Sequence, residues 1–566
     1  MGETMQIRLL HKGFGLVVGL FLASSLVLTT LQAAESKPVL TVSTANPETL
    51  YKIAEKIATL TGTLDQFNAE SRPFKDLKGI NPKNSIVFVV HSDGDEFKDP
   101  LLFLPITKFE SVELPGFEML QAMAQKEGTG KYLINSPVGA FILTQKKGYL
   151  VVSSESSEMA IPDDPAKFVK GLEEYTLGIR LDVENTSVDA IQTLLAPLQL
   201  AAAMSGEANA IQAFEQINQH VGMLCEEIRT MTVGLTMDPK TGDTSLQSFS
   251  APKSGSDTAK SLALLKNAET MFGGFLGNED AVFSVSSTGV GFKNLPAARE
   301  VLEGQIDQLI AGLLEQVEEN ADDDDAVELA KTVAANVKKI ILATLDSDKV
   351  DGGGFLGNNG TFAFGMTLGE GEELEKIGTI LLEQIEKMAP DKEKFQRDVV
   401  KRINTNYTVI DGFKLSSFIV PFDEIAEDED DMPPFLADKT FYLYWGLKND
   451  AFVVLGGFDP ESEALLKKAI AGMKKPIPSQ GGQINFSAMQ LGNLLKSFQT
   501  GDEPEEFELV VRTLLAAGAD ANVTLSQNIK QDSLTQTLSI SGKIWQALSK
   551  IATNERSATP RRMRDF

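Results

Sequence analysis

The order of strand-like and helix-like segments repeats along this chain, and the repetition limits the fold more than any other feature of the sequence. Apolar residues at every second position predict strands, and apolar residues at every third or fourth position predict helices. By this test the chain contains four blocks of strand, helix, helix and strand. The blocks begin at Val39, Tyr175, Ala281 and Gln483, two in each half of the chain.

Cap and turn residues support the same order. Asn46 and Pro47 predict the start of the first helix, because Asn caps a helix N-terminus and Pro fits its first turn; Gly62 predicts its end. Each half also contains a predicted hairpin, one turning at residues 145–148 and the other at residues 448–450. Both halves are therefore expected to contain antiparallel strands.

We predict an α+β protein with two similar halves, residues 35–278 and 279–551, related by internal duplication. Each half is expected to have antiparallel strands, with pairs of long helices packed on a curved sheet. The hexapeptide 273–278 recurs at residues 353–358, each time before a predicted strand. The spacing of the two copies is far shorter than a half, so the copies give the duplication little support.

The N-terminal residues 1–34 predict a secretory signal peptide. Arg8 and Lys12 precede an uncharged run, residues 13–34, which ends in small residues just before Glu35. This layout predicts a secreted or periplasmic protein. The alternative is an uncleaved N-terminal membrane anchor, because the run is as long as a membrane-spanning helix of roughly 20 residues.

Charge and cysteine content narrow the kinds of partner. The chain of 566 residues has 52 basic and 79 acidic side chains, a formal net charge of −27. The resulting long-range field repels nucleic acid and anionic membrane surfaces, so we expect neither as a partner. Cys225 is the only cysteine, so stability must come from packing and not from disulfides. An envelope protein or an apolar ligand is the expected partner.

No motif predicts a catalytic residue, a cofactor-binding residue or a metal ligand. After the predicted signal peptide the only histidines are His91 and His220, too few for a zinc site built on three histidines. Residues 128–131 lack the Walker spacing, and residues 289–294 lack the dinucleotide fingerprint. The nucleophile elbow G-x-S-x-G does not occur. We expect a protein that is not an enzyme and has no cofactor, with Cys225 an inert thiol.

Three acidic segments contain the oxygen ligands that calcium prefers. Residues 346–352 resemble the opening of an EF-hand, but Val350 occupies a ligand position and Gly357 stands where the bidentate glutamate belongs. Residues 322–325 precede a predicted helix, whose dipole stabilises negative charge without a metal. Residues 427–431 predict a solvated loop. The sequence therefore predicts no metal site.

Two other segments differ from the rest of the chain in charge. Residues 190–206 are uncharged and predict a helix buried in the core, with the wall of an apolar ligand cavity as the alternative. Residues 552–566 are expected to form a disordered tail. The tail holds the only basic cluster of the chain, which consists of Arg556, Arg561, Arg562 and Arg564.

The hairpin segments 140–143 and 148–152, together with residues 452–455, resemble those of large exported bacterial proteins of unknown function. The resemblance implies export and brings no functional residue with it. The leading hypothesis is an exported, non-enzymatic protein with a binding or scaffolding role in the cell envelope. The alternatives are a periplasmic carrier of a lipid or other apolar ligand, and a hydrolase that uses paired carboxylates.

Cleavage of the signal segment can be tested directly. We expect protein recovered from the envelope or the medium to begin near Ala34 or Glu35, because the small residues there suit signal peptidase. N-terminal sequencing measures this. A chain that begins at Met1 or Met5 would show that the segment is retained.

Overall fold

A computed structural model gives the fold of the chain. Its described residues divide into two compact units, unit 1 within residues 1–260 and 531–537, and unit 2 within residues 261–530 and 538–566. The structure describes residues 36–70, 78–94, 96–113, 117–136, 139–155, 161–193, 221–222, 224–275, 279–294, 296–320, 324–371, 373–374, 377–380, 382, 400–421, 439–460, 462–473, 476–479, 481–499, 504–530 and 532–558.

Unit 1 is an antiparallel sheet with short helices. Its strands lie side by side in the order β4-β5-β6-β7-β3-β2-β1-β8-β9-β10. In chain order they are β1 Lys37–Thr44, β2 Val87–Ser92, β3 Phe97–Leu104, β4 Ala124–Gly128, β5 Lys131–Ser136, β6 Gly139–Lys146, β7 Tyr149–Ser154, β8 Leu177–Leu181, β9 Ile228–Met237 and β10 Thr244–Pro252. The helices are α1 Pro47–Leu60, α2 Leu64–Glu70, α3 Phe117–Met123, α4 Ala166–Val169 and, where the sequence passes into unit 2, α5 Asp257–Leu265.

Unit 2 is also built on an antiparallel sheet. Its paired strands follow the order β15-β16-β17-β18-β14-β13-β12-β20-β21. In chain order the strands are β11 Glu269–Thr270, β12 Ala281–Val290, β13 Lys349–Gly357, β14 Phe362–Thr367, β15 Ile403–Ile410, β16 Phe413–Pro421, β17 Thr440–Lys448, β18 Ala451–Gly457, β19 Ile477–Pro478, β20 Gly482–Ser487 and β21 Asn522–Lys530. The last strand, β22 Ser533–Ile540, belongs to unit 1 up to residue 537 and to unit 2 from residue 538. The helices are α6 Pro296–Asn320, α7 Asp324–Leu345, α8 Ser462–Met473, α9 Ala488–Ser497, α10 Glu505–Ala517 and α11 Gly542–Ala558.

The fold is α+β, and the local signals in the sequence explain several element boundaries. The Asn46 side chain accepts a hydrogen bond from the Thr49 backbone N–H at 2.9 Å, which caps α1 directly before Pro47. Gly62 follows the helix with a φ of +72°, a conformation that favours glycine. The β6–β7 turn needs the same freedom at Gly148, whose φ is +84°. The predicted helix start and hairpin turn are confirmed.

One face of the unit 2 sheet is covered and forms the largest core of the unit. A short 3-10 turn, Phe272–Phe275, and helix α8 lie against this face. The fully buried side chains of this core include Phe272, Phe275, Leu415, Val453, Leu455, Leu466 and Ile470.

Phe272 is held close to the sheet backbone by two glycines. A Cβ at Gly353 would lie 2.8 Å from the Phe272 Cβ, and a Cβ at Gly365 would lie 2.4 Å from its ring. The buried carboxylate of Asp351 fixes the adjoining segment, because it accepts hydrogen bonds from the Met271 N–H at 2.9 Å and from the Thr288 hydroxyl at 3.0 Å. The glycines of β13 therefore serve packing and are not loop residues.

Strand β13 was not predicted from the sequence, and its presence changes two predictions. The third block was expected to return to the sheet at residues 361–368, but β13 comes first and β14 follows it. The hexapeptide 353–358 lies largely within β13, whereas residues 272–275 form the 3-10 turn, so the two copies differ in conformation. Glycine lowers strand propensity, and the three glycines at 352–354 hid the strand. The pairs β4–β5 and β15–β16 were also missed.

Removing the Phe272 ring tests this account of the unit 2 core. We expect Phe272→Ala to lower the free energy of unfolding of unit 2 by about 3–5 kcal/mol, because the glycines beside the ring cannot fill the cavity. Urea unfolding followed by tryptophan fluorescence measures it, since both tryptophans, Trp445 and Trp545, lie in unit 2. The matched control is Leu264→Ala, whose side chain is 58% exposed. Equal effects of the two variants would contradict the account.

Candidate functional site

The opposite face of the unit 2 sheet is apolar and partly open to solvent. Two rows of residues cross seven neighbouring strands on this face, and we call the two rows together the open face. The central row is Leu525, Ile484, Val285, Gly354, Phe364, Val454 and Trp445. The outer row is Val523, Phe486, Phe283, Leu356, Phe362, Gly456 and Leu443.

Strand register creates these rows. Val285 lies opposite Ile484 on one side and opposite Gly354 on the other, and each later neighbour in the row is a direct cross-strand partner in the same way. Adjacent strands are about 4.8 Å apart, so a row across seven strands is roughly 29 Å long. No position in either row carries a charged or polar side chain. The central row therefore offers continuous apolar contact to an extended molecule.

Exposure separates this face from the covered one. Phe283, Phe364 and Leu525 are exposed, Phe364 at 39% and Leu525 at 42%, whereas Val453 and Leu455 on the covered face are fully buried. Contiguous exposed apolar surface is uncommon on soluble monomers and marks binding sites more often than chance placement. The open face is thus the candidate functional site of unit 2.

Helices reach this face at its two ends, as far as the described residues go. At one end, Ile340 of α7 packs in a cluster with Met366 and Phe452. These two residues lie two positions along their strands from Phe364 and Val454 of the central row. At the other end α9, α10 and α11 form a cluster with Phe486 and Val523. The central row lies between the two clusters.

Two glycines shape the surface of the open face. A Cβ at Gly354 would lie 2.9 Å from the Phe364 ring, and a Cβ at Gly456 would lie 2.5 Å from the Phe362 ring. Each aromatic ring therefore rests over the backbone of its neighbouring strand. This contact fixes both rings, of which Phe364 is exposed and Phe362 is half-buried.

A separate cleft of about 460 Å³ lies in unit 2 near the β13–β14 turn. The Lys439 ammonium lies 5.6 Å from the Phe458 ring centroid and 5.7 Å from that of Phe498, which are cation–π distances. The Asn359 amide donates to the Asp459 carboxylate at 2.8 Å. The residues that line the cleft include no histidine or cysteine. Its hydroxyl groups therefore have no adjacent imidazole base.

The acidic segment 346–352 directs its carboxylates to different protein partners. Asp346 accepts hydrogen bonds from the Arg299 guanidinium at 2.6 and 3.0 Å, and this pairing lowers the pKa of the Asp346 carboxyl. Asp351 is bonded to Met271 and Thr288 as described above. Within the described part of the chain, no three His, Cys, Asp or Glu side chains are placed to hold a metal ion.

The remaining sequence candidates lie in core positions, in helix α11 or outside the described residues. Residues 552–558, the first part of the tail that was predicted to be disordered, are the end of helix α11. Cys225 is buried, and burial raises the pKa of its thiol. Ala190 and Ile191, the first residues of the uncharged segment 190–206, are buried in unit 1. His220 and the segments 194–206, 321–323, 427–431 and 559–566 lie outside the described residues.

His91 lies inside unit 1. It is 5% exposed, and its ring meets the Phe168 ring edge-on at a centroid distance of 5.5 Å. Its Nδ1 has no hydrogen-bond partner among the described residues. Burial lowers the pKa of His91 to about 4, and the nearby charge of Lys167 adds to the effect. His91 is therefore a neutral core residue at pH 7.

Sequence reasoning missed the open face because the usual inside–outside pattern is reversed in β12. Ser284, Ser286 and Thr288 are buried, whereas Phe283 is exposed and Val285 is half-buried. The usual pattern, with hydroxyl side chains facing solvent and Phe in the core, would assign the wrong face of β12 to solvent. The sequence signal was an alternating strand with small hydroxyls on one face and large apolar residues on the other.

Comparisons with known proteins give no relative. No protein-family model matches this chain, and neither a curated protein nor a solved structure matches it. Among the described helices, none is both long and apolar enough to cross a membrane. The geometry of the open face is therefore the observation that bears on function.

The buried position of His91 predicts a loss of stability in acid. Its folded pKa of about 4 lies below the ordinary value of 6.5, so the unfolded chain takes up the proton first. The stabilisation is fully present above pH 6.5, and about 3 kcal/mol of it is lost as the pH falls from 6.5 to 4. Urea unfolding of His91→Leu, followed by circular dichroism, should show a shallower pH dependence of unit 1 across this range. An unchanged slope would contradict the assignment.

Proposed function

We propose that this chain is an exported, non-enzymatic binding protein, and that its ligand is the acyl chain of a lipid held on the open face of unit 2. The observation that carries the proposal is the pair of uncharged rows across seven strands, with Phe283, Phe364 and Leu525 exposed. Burying a side chain of this size contributes about 1.5–3 kcal/mol. Because the three exposed side chains are 38–42% accessible, a ligand that covers them would gain roughly 1 kcal/mol from each.

The chemistry of the face favours an acyl chain over a peptide. The strands that carry the middle of the open face, β12, β13 and β14, are each paired on both sides, so their backbone N–H and C=O groups are already bonded. An extended peptide laid on this face would leave its own backbone groups without partners, which is costly. An acyl chain has no such groups. The net charge of −27 further favours a neutral or zwitterionic head group.

Export is part of the same proposal. Residues 1–34 have the layout of a signal peptide, and they lie outside the described residues. A lipid-binding protein in the periplasm or the medium needs no enzyme chemistry and no disulfide. This is consistent with a chain that has one cysteine and no catalytic motif. The scaffolding hypothesis predicts a protein partner instead of bound lipid.

We also propose that the two units are similar halves produced by duplication. Strands β1–β9 of unit 1 correspond in chain order to strands β12–β18, β20 and β21 of unit 2. The nine strands of each set lie side by side in the same order in their sheet. The central strands share a sequence pattern as well. Residues 39–44 are Val-Leu-Thr-Val-Ser-Thr, and residues 282–287 are Val-Phe-Ser-Val-Ser-Ser. A shared ancestor accounts for both observations.

A charge placed on the open face tests the binding site. We expect Phe364→Asp to weaken binding of pyrene-labelled phosphatidylcholine by roughly tenfold or more, because a carboxylate in contact with the acyl chain must lose its water. The measurement is pyrene fluorescence during titration of the chain from residue 35 onward. Leu525→Asp, on another strand of the same row, should act alike.

The matched control is Leu264→Asp, which places the same charge on an exposed apolar position of α5, outside the open face. It should bind as the unsubstituted chain does. Tryptophan fluorescence during urea unfolding checks that each variant is folded. Folded Phe364→Asp and Leu525→Asp variants that bind normally, or a chain that binds no lipid and copurifies with an envelope protein, would contradict the proposal.

A further inference from the structure

Unit 1 has an apolar surface of its own on the β8–β10 part of its sheet. Leu177 of β8, Leu235 of β9 and Leu246 of β10 are direct cross-strand partners, and all three are exposed. Ile179, which lies on the same face two residues along β8, is also exposed. These four residues, together with the half-buried Val42 and Val233, form a surface that we call the β8–β10 face.

The opposite side of the same strands is covered. The Tyr175 ring lies so close to Gly234 that a Cβ there would be 2.2 Å from it, and Gly178 is in contact with Tyr175 and Leu172. Further along the sheet, Phe168 of α4 packs with Val89 and its neighbours on the covered side. The β8–β10 face is therefore not the back of the unit 1 core.

Strand register matches the β8–β10 face with the open face of unit 2. In unit 1, Val42 pairs with Ile179, which pairs with Val233. In unit 2, Val285 pairs with Ile484, which pairs with Leu525. The two sets occupy the corresponding strands, β1, β8 and β9 in one unit and β12, β20 and β21 in the other. The apolar character of the row is kept at all three positions.

The boundaries of the two faces also correspond. At one end of the β8–β10 face, Leu181 packs with Val183 and Ile191. Near the other end, the Lys56 ammonium of α1 donates to the Lys240 carbonyl in the β9–β10 turn at 2.7 Å. In the chain order of unit 1, helical residues lie between β8 and β9 and between β1 and β2. In unit 2, α9–α10 and α6–α7 lie between the corresponding strands.

We infer that unit 1 carries a second site for the same class of ligand, so that one chain binds two lipid molecules, one on each unit. The inference rests on the proposed function of the open face. The unit 1 site is shorter, because Leu102 and Leu143, which correspond to Phe364 and Trp445, are buried. It is displaced toward β10, where Leu246 is 43% exposed.

Ligand stoichiometry tests the inference. The chain from residue 35 onward, incubated with dioleoyl phosphatidylcholine, should carry two lipid molecules by native mass spectrometry. Leu235→Asp should carry one, bound in unit 2, and Phe364→Asp should carry one, bound in unit 1. The double variant should carry none. Met119→Asp, at an exposed position of α3 away from the β8–β10 face, is the control and should carry two.

The outcomes separate the second site from the first. A chain that binds one lipid, which is lost in Phe364→Asp and kept in Leu235→Asp, overturns the second site and leaves the proposed function standing. A chain that binds none overturns both. Leu246→Asp guards against misfolding, because it changes a more exposed position of the same face; with circular dichroism unchanged, it should also reduce the count to one. Two lipids retained in folded Leu235→Asp and Leu246→Asp would overturn the inference.

Discussion

The alternation of side chains along β12 is the constraint on which the rest of unit 2 depends. Successive residues of a strand point to opposite faces of its sheet. In β12 this places Ser284, Ser286 and Thr288 in the covered core, and Phe283 and Val285 on the open face. Small hydroxyl side chains on the covered side leave room for the Phe272 turn and α8 to lie close to the sheet. The apolar side of β12 therefore faces away from the core, on the open face.

Both sides of that arrangement have an energetic consequence. Buried hydroxyls need partners, and Thr288 finds one in Asp351, while the Ser284 hydroxyl accepts from the Asn485 amide at 3.3 Å. Phe283, Phe364 and Leu525 are 38%, 39% and 42% exposed, so each forgoes roughly 1 kcal/mol relative to full burial. A fold that places hydroxyls inside and aromatic rings outside on one strand leaves stabilisation unused in the free protein. An apolar ligand on the open face would recover it.

Much of the fold could be predicted from local sequence signals. Asn46, Pro47 and Gly62 set the limits of the first helix, and the long helices α6 and α7 follow from apolar spacing. The strand β13 could not be predicted, because its glycines are explained only by the Phe272 ring that rests against them. The open face could not be predicted from the sequence for a similar reason. Whether Phe283 points into the core depends on which face α8 covers, and that is a tertiary contact with no local signal.

We propose that an acyl chain lies along the central row of the open face, and Trp445 lies in that row and can report on it. The chain has two tryptophans, and the other, Trp545, lies on α11. In Trp545→Phe only Trp445 remains, and in Trp445→Phe only Trp545 remains. Fluorescence is measured as phosphatidylcholine with brominated acyl chains is added. We expect strong quenching of Trp445 and weak quenching of Trp545. Equal quenching of both, or none of Trp445, would show that no acyl chain lies along the central row.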